Sequence, residues 1–249
     1  AGAVYLMATT AAGALRVVRR VPEIGEDEHD RTTASLYRRD RDEPGLLSLR
    51  AFDHFGCAIQ HIGDLDGDGI TELAVGARGD NSGAQDAGAV YVLFLDTQAR
   101  LRRYVKVTRP EAGGLFGSAL GAPSGGVASI EHPHLVVGAP GHDGHRGAVH
   151  LLFFNADGSL AGSTELSPAT WGEGGPGLLA SNARLGATVA MSLSSTGYEI
   201  SAGAPGMEGE AGVVLTLHMV GRDIRGFSPM MAPDRQRTPR RHFGGSALA

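Results

Sequence analysis

The chain has 249 residues, and its formal net charge at pH 7 is only −5. So small a charge gives no case for a nucleic-acid-binding protein. The longest apolar runs, such as residues 89–95, are far too short to cross a bilayer, and the single cysteine provides no evidence of a disulfide.

The first predicted element is a strand over residues 2–7. The stretch that follows, about 16–53, mixes many acidic and basic residues with few apolar ones. This composition predicts a solvated loop without a packed core of its own. Because long loops in compact folds are often functional, an insertion that contacts a partner is the alternative. The next strand is predicted to start at Phe55, with Cys57 as a small buried thiol.

A dense group of acids comes next, at Asp64, Asp66, Asp68 and Glu72. Three carboxylates at alternate positions and a fourth at the ninth position indicate an oxygen cage for a hard cation such as Ca²⁺. The carbonyl of Ile70 would be a further ligand, and the intervening glycines permit the tight curve. The alternative is a solvated acidic turn, in which the four acids would repel one another. We therefore predict a Ca²⁺ site in this loop.

The pattern around this loop recurs along the chain. Three segments of the first unit each recur twice: 55–59 at 116–120 and 185–189, 73–77 at 135–140 and 200–205, and 88–94 at 147–153 and 212–217. More polar strands are predicted at 101–107 and 159–166. The spacing of about sixty residues is in the range of propeller blades. Four short antiparallel strands per unit predict an all-β fold, a β-propeller of four-stranded antiparallel blades.

The order of these motifs resembles the FG-GAP repeat family, which includes the propeller of the integrin α subunit. Each unit starts with a Phe-Gly or similar pair, continues to Gly-Ala-Pro or a variant, and ends in a strand such as Gly-Ala-Val-Tyr-Val at 88–92. The resemblance implies that Asp64, Asp66, Asp68, the Ile70 carbonyl and Glu72 are Ca²⁺ ligands. The family usually has Asp where Glu72 stands, so this side chain reaches from one carbon further back.

The other two units lack the acids of this loop. The positions equivalent to the four carboxylates are Gly126, Ala128, Ile130 and His134 in the second unit, and Met191, Leu193, Ser195 and Glu199 in the third. Neither set is expected to bind Ca²⁺ in this way.

The units predict a single propeller domain over 1–249. It comprises a partial blade at 1–54, blades at about 55–115, 116–184 and 185–242, and the start of another at 243–249. Because both ends fall in mid-blade, we expect a fragment of a longer propeller. The alternative is that the two ends join into one incomplete fourth blade.

The resemblance implies a Ca²⁺-stabilised binding or adhesion module at the cell surface or outside the cell. A protein or glycan ligand would bind the propeller face opposite the Ca²⁺ loop, near residues 80–87 and 141–146. The alternatives are a propeller that accompanies a catalytic domain, as in phospholipase D acting on glycolipid anchors, and a purely architectural surface protein. No nucleophile elbow, phosphate-binding loop or paired metal-ligand helix is present, so we do not expect an enzyme.

Two other motifs favour ordinary structural explanations. Arg78-Gly79-Asp80 is the tripeptide that integrin-type receptors recognise, but tripeptides recur by chance and the repeat itself calls for glycine and acid here. Histidines cluster at 132, 134, 142, 145 and 150. Because a predicted strand separates them into two groups, we expect solvated loop histidines; a weak metal site at His142, Asp143 and His145 is the alternative.

Overall fold

The computed structural model describes residues 2–9, 15–21, 47, 49–123, 132–171, 179, 181–207 and 211–231. Their elements in chain order are β1 Val4–Thr9, β2 Leu15–Val21, β3 Phe55–His61, β4 Leu73–Ala77, β5 Ala89–Leu95, β6 Leu101–Thr108, β7 Ala119–Gly121, β8 Leu135–Ala139, α1 His142–His145, β9 Ala148–Phe154, β10 Leu160–Leu166, β11 Thr188–Ser194, β12 Gly197–Ala204, β13 Val213–Val220 and β14 Asp223–Met231.

The strands form successive antiparallel blades. In the described part of the chain, β1 and β2 make a two-stranded sheet (blade I), and β3–β6, β7–β10 and β11–β14 make four-stranded sheets (blades II, III and IV), each paired in chain order. The short α1 contains two residues with left-handed backbone angles, Asp143 and Gly144, and is a tight turn in practice. The predicted all-β fold of four-stranded propeller blades is confirmed.

The middle strands of blade II are buried on both faces. Every residue of β4 and β5 is buried, which explains why these strands are continuous apolar runs. Val75 and Tyr91 pack in one cluster with Val4 of blade I, whereas Ala74 and Val92 pack on the other face, in a cluster shared with β8 and β9. The alternation of side chains along each strand thus supplies two separate cores.

The same stacking continues from blade III to blade IV. Val136 and Leu151 of blade III share a buried cluster with Ile200 and Leu217 of blade IV. The innermost strands of the described blades also follow one another, because β3 contacts β7 and β7 contacts β11. Blades II, III and IV are therefore arranged face to face around a common inner edge, as in a partial propeller.

Neighbouring blades join through a repeated backbone contact. A parallel bridge pairs Gly88 with Phe116, and an equivalent bridge pairs Gly147 with Leu185. Both glycines have positive φ, at 85° and 87°, and a Cβ on either would collide with the backbone of its partner. Glycine is required at these positions because only it combines that backbone angle with so close an approach.

The segment predicted as a charged loop, about 16–53, is more ordered at both ends than its composition suggested. Its start belongs to β2, which pairs with β1. Near its end, Leu47 and Leu49 are buried in the cluster that also holds Phe55. The loop prediction was wrong for these two ends of the segment. β2 is stabilised by pairing with β1, a contact that the composition of the segment does not reveal. Residues 22–46 and 48 lie outside the described part, as does the start of the further blade predicted at 243–249.

The expectation that Cys57 is buried was also wrong, since the residue is exposed. β3 is the edge strand of blade II, and its side chains at 57, 59 and 61 are exposed in alternation with partly buried ones. The thiol nevertheless lies beside blade III, because Cys57 Sγ donates to the Gly117 carbonyl at 3.4 Å and partial burial raises its pKa.

Candidate metal centre

The acidic loop connects β3 to β4 at one end of blade II. Two backbone hydrogen bonds close its neck, from Ile62 N to the Glu72 carbonyl at 3.1 Å and from Glu72 N to the Gly63 carbonyl at 2.8 Å. The loop is therefore a closed extension of a β-hairpin, and its acids are held near one another by the strands beneath it.

Asp64 shapes the loop by accepting backbone hydrogen bonds. Its Oδ1 accepts from Gly67 N at 2.8 Å and from Asp68 N at 3.1 Å, and its Oδ2 accepts from Gly69 N at 2.8 Å. Both glycines have positive φ, and there is free space around each. Their role is conformational, because other residues resist these backbone angles.

Glu72 is the buried acid of the loop, with only 1% of its surface exposed. Its Oε2 accepts a hydrogen bond from Leu65 N at 2.5 Å, but its Oε1 is buried and has no partner, and the same is true of Asp66 Oδ1. Ligand oxygens of Asp64, Asp66 and Glu72 all lie within 4.8 Å of one another. Buried oxygens without donors are costly, and a bound cation would satisfy them.

The electrostatics of the loop favour the same interpretation. Burial, together with the neighbouring carboxylates of Asp66, Asp64 and Asp68, raises the pKa of Glu72 from its ordinary 4.5 to about 7, although the hydrogen bond from Leu65 N acts in the opposite direction. The loop thus resists a fourth negative charge unless a cation is present.

Two arginines on β6 supply part of the missing positive charge. Arg102 forms an ion pair with Asp68, and Arg103 Nη2 lies 3.1 Å from Asp66 Oδ2. The Arg103 guanidinium also lies 3.3 Å from the centre of the Phe94 ring and donates to the Asp157 carbonyl, at 2.7 Å, in the β9–β10 turn of blade III. Sequence reasoning missed these residues, because the strand order that brings β6 beside the loop had to be known first.

The structure therefore brings together only part of the predicted ligand set. Asp64, Asp66 and Glu72 converge, whereas one carboxylate oxygen of Asp68 is directed to Arg102 and the other accepts a hydrogen bond from Ile70 N at 2.8 Å. The side chain of Ile70 packs against the core of blade II.

The equivalent positions in the other blades differ from this loop. In blade IV, β11 and β12 are joined by a tight turn at 195–196, and Glu199 Oε1 lies 3.0 Å from His218 Nδ1. In blade III, Gly126, Ala128 and Ile130 lie outside the described residues. His134, which occupies the position of Glu72, is buried, and its Nδ1 accepts a hydrogen bond from Phe154 N at 3.1 Å.

The Arg-Gly-Asp tripeptide is not displayed for a receptor. Asp80 is 1% exposed, and its Oδ2 accepts hydrogen bonds from Tyr91 Oη at 3.0 Å and Lys106 Nζ at 2.6 Å. Burial alone would raise the pKa of Asp80, but the hydrogen bonds from Lys106 and Ser82 outweigh it and hold the pKa below its usual value. The aspartate is part of the blade interior.

The expectation of solvated histidines was wrong for two of them, because His134 and His150 are buried. Asp143 and His145 are exposed and do not complete the site considered with His142. Instead, ligand atoms of His142, His150 and Glu165 lie within 4.8 Å of one another. The sequence could not reveal this group, because Glu165 reaches it only through the pairing of β10 with β9.

The loops that follow β4 and β8 lie at the opposite end of the blades from the acidic loop. β4 runs from Leu73, beside Glu72, to Ala77, so residues 78–88 emerge at its other end, and residues 140–147 emerge at the same end of β8. Among the described residues, no helix is long and apolar enough to span a bilayer.

Comparison with known proteins gives one family assignment. Residues 61–93, from the end of β3 through the acidic loop to β5, match the FG-GAP repeat family. A search of curated proteins found no match. The predicted FG-GAP repeat is thus confirmed for this segment, and the repeat family suggests an integrin-like propeller.

Proposed function

We propose that the chain is part of a Ca²⁺-stabilised FG-GAP propeller that acts as a non-catalytic binding or adhesion module at the cell surface or outside the cell. The observation that carries the proposal is the pair of buried oxygens without donors, Asp66 Oδ1 and Glu72 Oε1, within a group of converging carboxylates. A Ca²⁺ ion takes such oxygens as ligands.

The residues fit this ion in number and type. Asp64, Asp66 and Glu72 would bind it, with Asp68 and the Ile70 carbonyl completing the shell once Asp68 turns away from Arg102. The bound ion would neutralise the acids and fix the shape of the β3–β4 loop. This role is structural, since the loop already has its neck closed by the strands.

The proposed ligand surface is the opposite face, formed by residues 78–88 and 140–147. Support comes from the backbone of these loops, which is held in place: Gly79 N donates to the Asp53 carbonyl and Gly141 N to the Gly114 carbonyl, each at 3.1 Å. Preorganised loops lose little entropy on binding, as a recognition surface requires. The ligand would be a protein or a glycan.

Calcium titration of the cation-free chain tests whether the acidic loop binds Ca²⁺. Isothermal calorimetry should show binding of one Ca²⁺, and the melting temperature should rise with Ca²⁺ concentration. Asp66→Ala should abolish both effects. Asp223→Ala removes an exposed acid on β14 that lies 3.4 Å from Arg225, and it should leave both unchanged. A normal calcium response in Asp66→Ala would refute the site.

Binding assays test the module's role separately. Glycan arrays and cell-adhesion assays, each run with Ca²⁺ and with a chelator, should show a ligand that is lost when the metal is removed. If the metal binds but no ligand is found in either assay, the architectural alternative is favoured.

A further inference from the structure

A second polar cluster lies at the loop end of blade III, on the face opposite the acidic loop. It consists of His142 in α1, His150 on β9, Glu165 on β10 and Glu111 in the β6–β7 connection, and we call it the histidine cluster. His142 Nε2 lies 3.1 Å from Glu165 Oε1, and its Nδ1 pairs with Glu111. None of these residues belongs to the proposed Ca²⁺ site.

The repeat shows that the fold does not require these residue types. The three equivalent positions hold Asp80, Tyr91 and Lys106 in blade II, and Met207, Leu215 and Pro229 in blade IV. In blade II the three polar side chains satisfy one another through hydrogen bonds. In blade IV the positions are apolar. In blade III, the three positions hold two histidines and a glutamate.

The geometry suits a metal ion. One ligand atom from each of His142, His150 and Glu165 lies within 4.8 Å of the others. His150 is only 4% exposed, so its ring is held within the cluster.

The surroundings of His142 match the outer shell of a metal site. A metal-bound histidine usually donates a hydrogen bond from its second ring nitrogen to a carboxylate, which fixes the ring orientation. Here Glu111 contacts Nδ1, so that Nε2 is directed towards Glu165, at 3.1 Å from Oε1. Glu111 is itself held in place, because its Oε1 accepts a hydrogen bond from Asp143 N at 2.7 Å.

The charges around the cluster leave room for a cation. Glu111 and Glu165 are acidic, and they outnumber Arg109, which interacts electrostatically with Glu165 and His150 and lies 5.1 Å from the centre of the Phe116 ring. The His150 ring packs edge-on against the same Phe116 ring, at 5.2 Å. Phe116 therefore packs against both the Arg109 guanidinium and the His150 ring.

We propose that His142, His150 and Glu165 bind a divalent transition metal of the Zn²⁺ type, with Glu111 orienting His142. Two imidazoles and one carboxylate are a common set of three protein ligands for zinc, with water in the fourth position. Imidazole also distinguishes this site from the all-oxygen loop that suits Ca²⁺. The site would fasten α1 to β9 and β10 on the proposed ligand face.

Titration with ZnCl₂ tests the proposal. The full chain is stripped with a chelator and carries Cys57→Ser, so that the exposed thiol cannot bind the metal; Ca²⁺ is kept saturating. Calorimetry should show one Zn²⁺ per chain, and Co²⁺ in its place should produce visible d–d absorption. His150→Leu installs the residue found at this position in blade IV and should weaken Zn²⁺ binding more than about 100-fold, whereas Glu111→Gln should weaken it roughly 10-fold.

Two further variants decide between specific and incidental binding. His218→Leu removes a histidine of blade IV that lies 3.0 Å from Glu199, and it should leave Zn²⁺ affinity unchanged. Glu165→Gln keeps the side-chain shape and should abolish tight binding even if His150→Leu fails to fold, as judged by circular dichroism. The proposal is overturned if the parent chain binds no stoichiometric Zn²⁺, or if Glu165→Gln binds it as tightly as the parent.

Discussion

At the scale of single residues, the acidic loop illustrates how one buried carboxylate sets the properties of a site. Both oxygens of Asp64 accept backbone hydrogen bonds, so it stabilises the loop with or without a cation. Glu72 differs, because it is buried with one oxygen lacking a partner and has neighbours of the same charge. The cost of leaving the loop without a cation therefore falls mainly on Glu72.

This difference predicts a pH dependence in the absence of Ca²⁺. The pKa of Glu72 is raised in the folded state, to about 7 from 4.5, so the folded chain binds the proton more tightly than the unfolded chain. The free energy of unfolding should then fall as pH rises from about 4.5 to about 7, by up to about 3 kcal/mol. Urea denaturation across this range measures it.

The control for this prediction is Glu72→Gln, which cannot ionise and should flatten this part of the pH profile. Saturating Ca²⁺ should also remove the decline in the parent chain, because the ion stabilises the ionised form. An unchanged slope in Glu72→Gln would show that another group is responsible.

At the scale of elements, the blades are held in register by glycines that other residues cannot replace. A Cβ at Gly76, in β4 of blade II, would collide with the Gly117 carbonyl of blade III. Equivalently, a Cβ at Gly138, near the end of β8 in blade III, would collide with the Gly186 carbonyl of blade IV. The Gly-Ala part of each repeat thus serves as the surface on which the next blade begins.

Gly138→Ala should therefore be strongly destabilising. Because the collision is with backbone and not with a movable side chain, we expect a loss of about 3 kcal/mol or more in the free energy of unfolding. Gly226→Ala on β14 is the matched control, since its Cβ would lie 3.8 Å from the His218 ring, an ordinary contact. Equal stability of the two variants in urea denaturation would contradict the close packing of blades III and IV.

At the scale of the whole molecule, the blades are coupled by apolar stacking and by a few polar contacts between their ends. Buried clusters join blade I to II, II to III and III to IV. Arg103 adds a polar connection, because it pairs with Asp66 of the acidic loop and donates to the Asp157 carbonyl of the next blade. The state of the acidic loop is thereby linked to the junction of blades II and III.

Arg103→Gln should have opposite effects on stability and on Ca²⁺ affinity. Without Ca²⁺ the variant should be less stable, since Asp66 loses its cation and the contact with blade III is lost. Ca²⁺ affinity, measured by calorimetry, should rise roughly fivefold, or about 1 kcal/mol, because the arginine no longer competes with the ion for Asp66. Arg100→Gln breaks an exposed ion pair with Asp96 and should leave Ca²⁺ affinity unchanged. A lower affinity in Arg103→Gln would mean that the arginine supports the loop instead of competing with the ion.

The blades and the acidic loop could be predicted from the sequence, because both depend on residues close together in the chain. Glycines and apolar runs define short strands, and Asp64, Asp66 and Glu72 lie within nine positions of one another. Their surroundings became visible only in the folded chain: the burial of Asp80, the exposure of Cys57, the approach of Arg103 and the convergence of Glu111, His142, His150 and Glu165. These depend on which strands pair and which faces stack, and such long-range contacts leave no local pattern in the sequence.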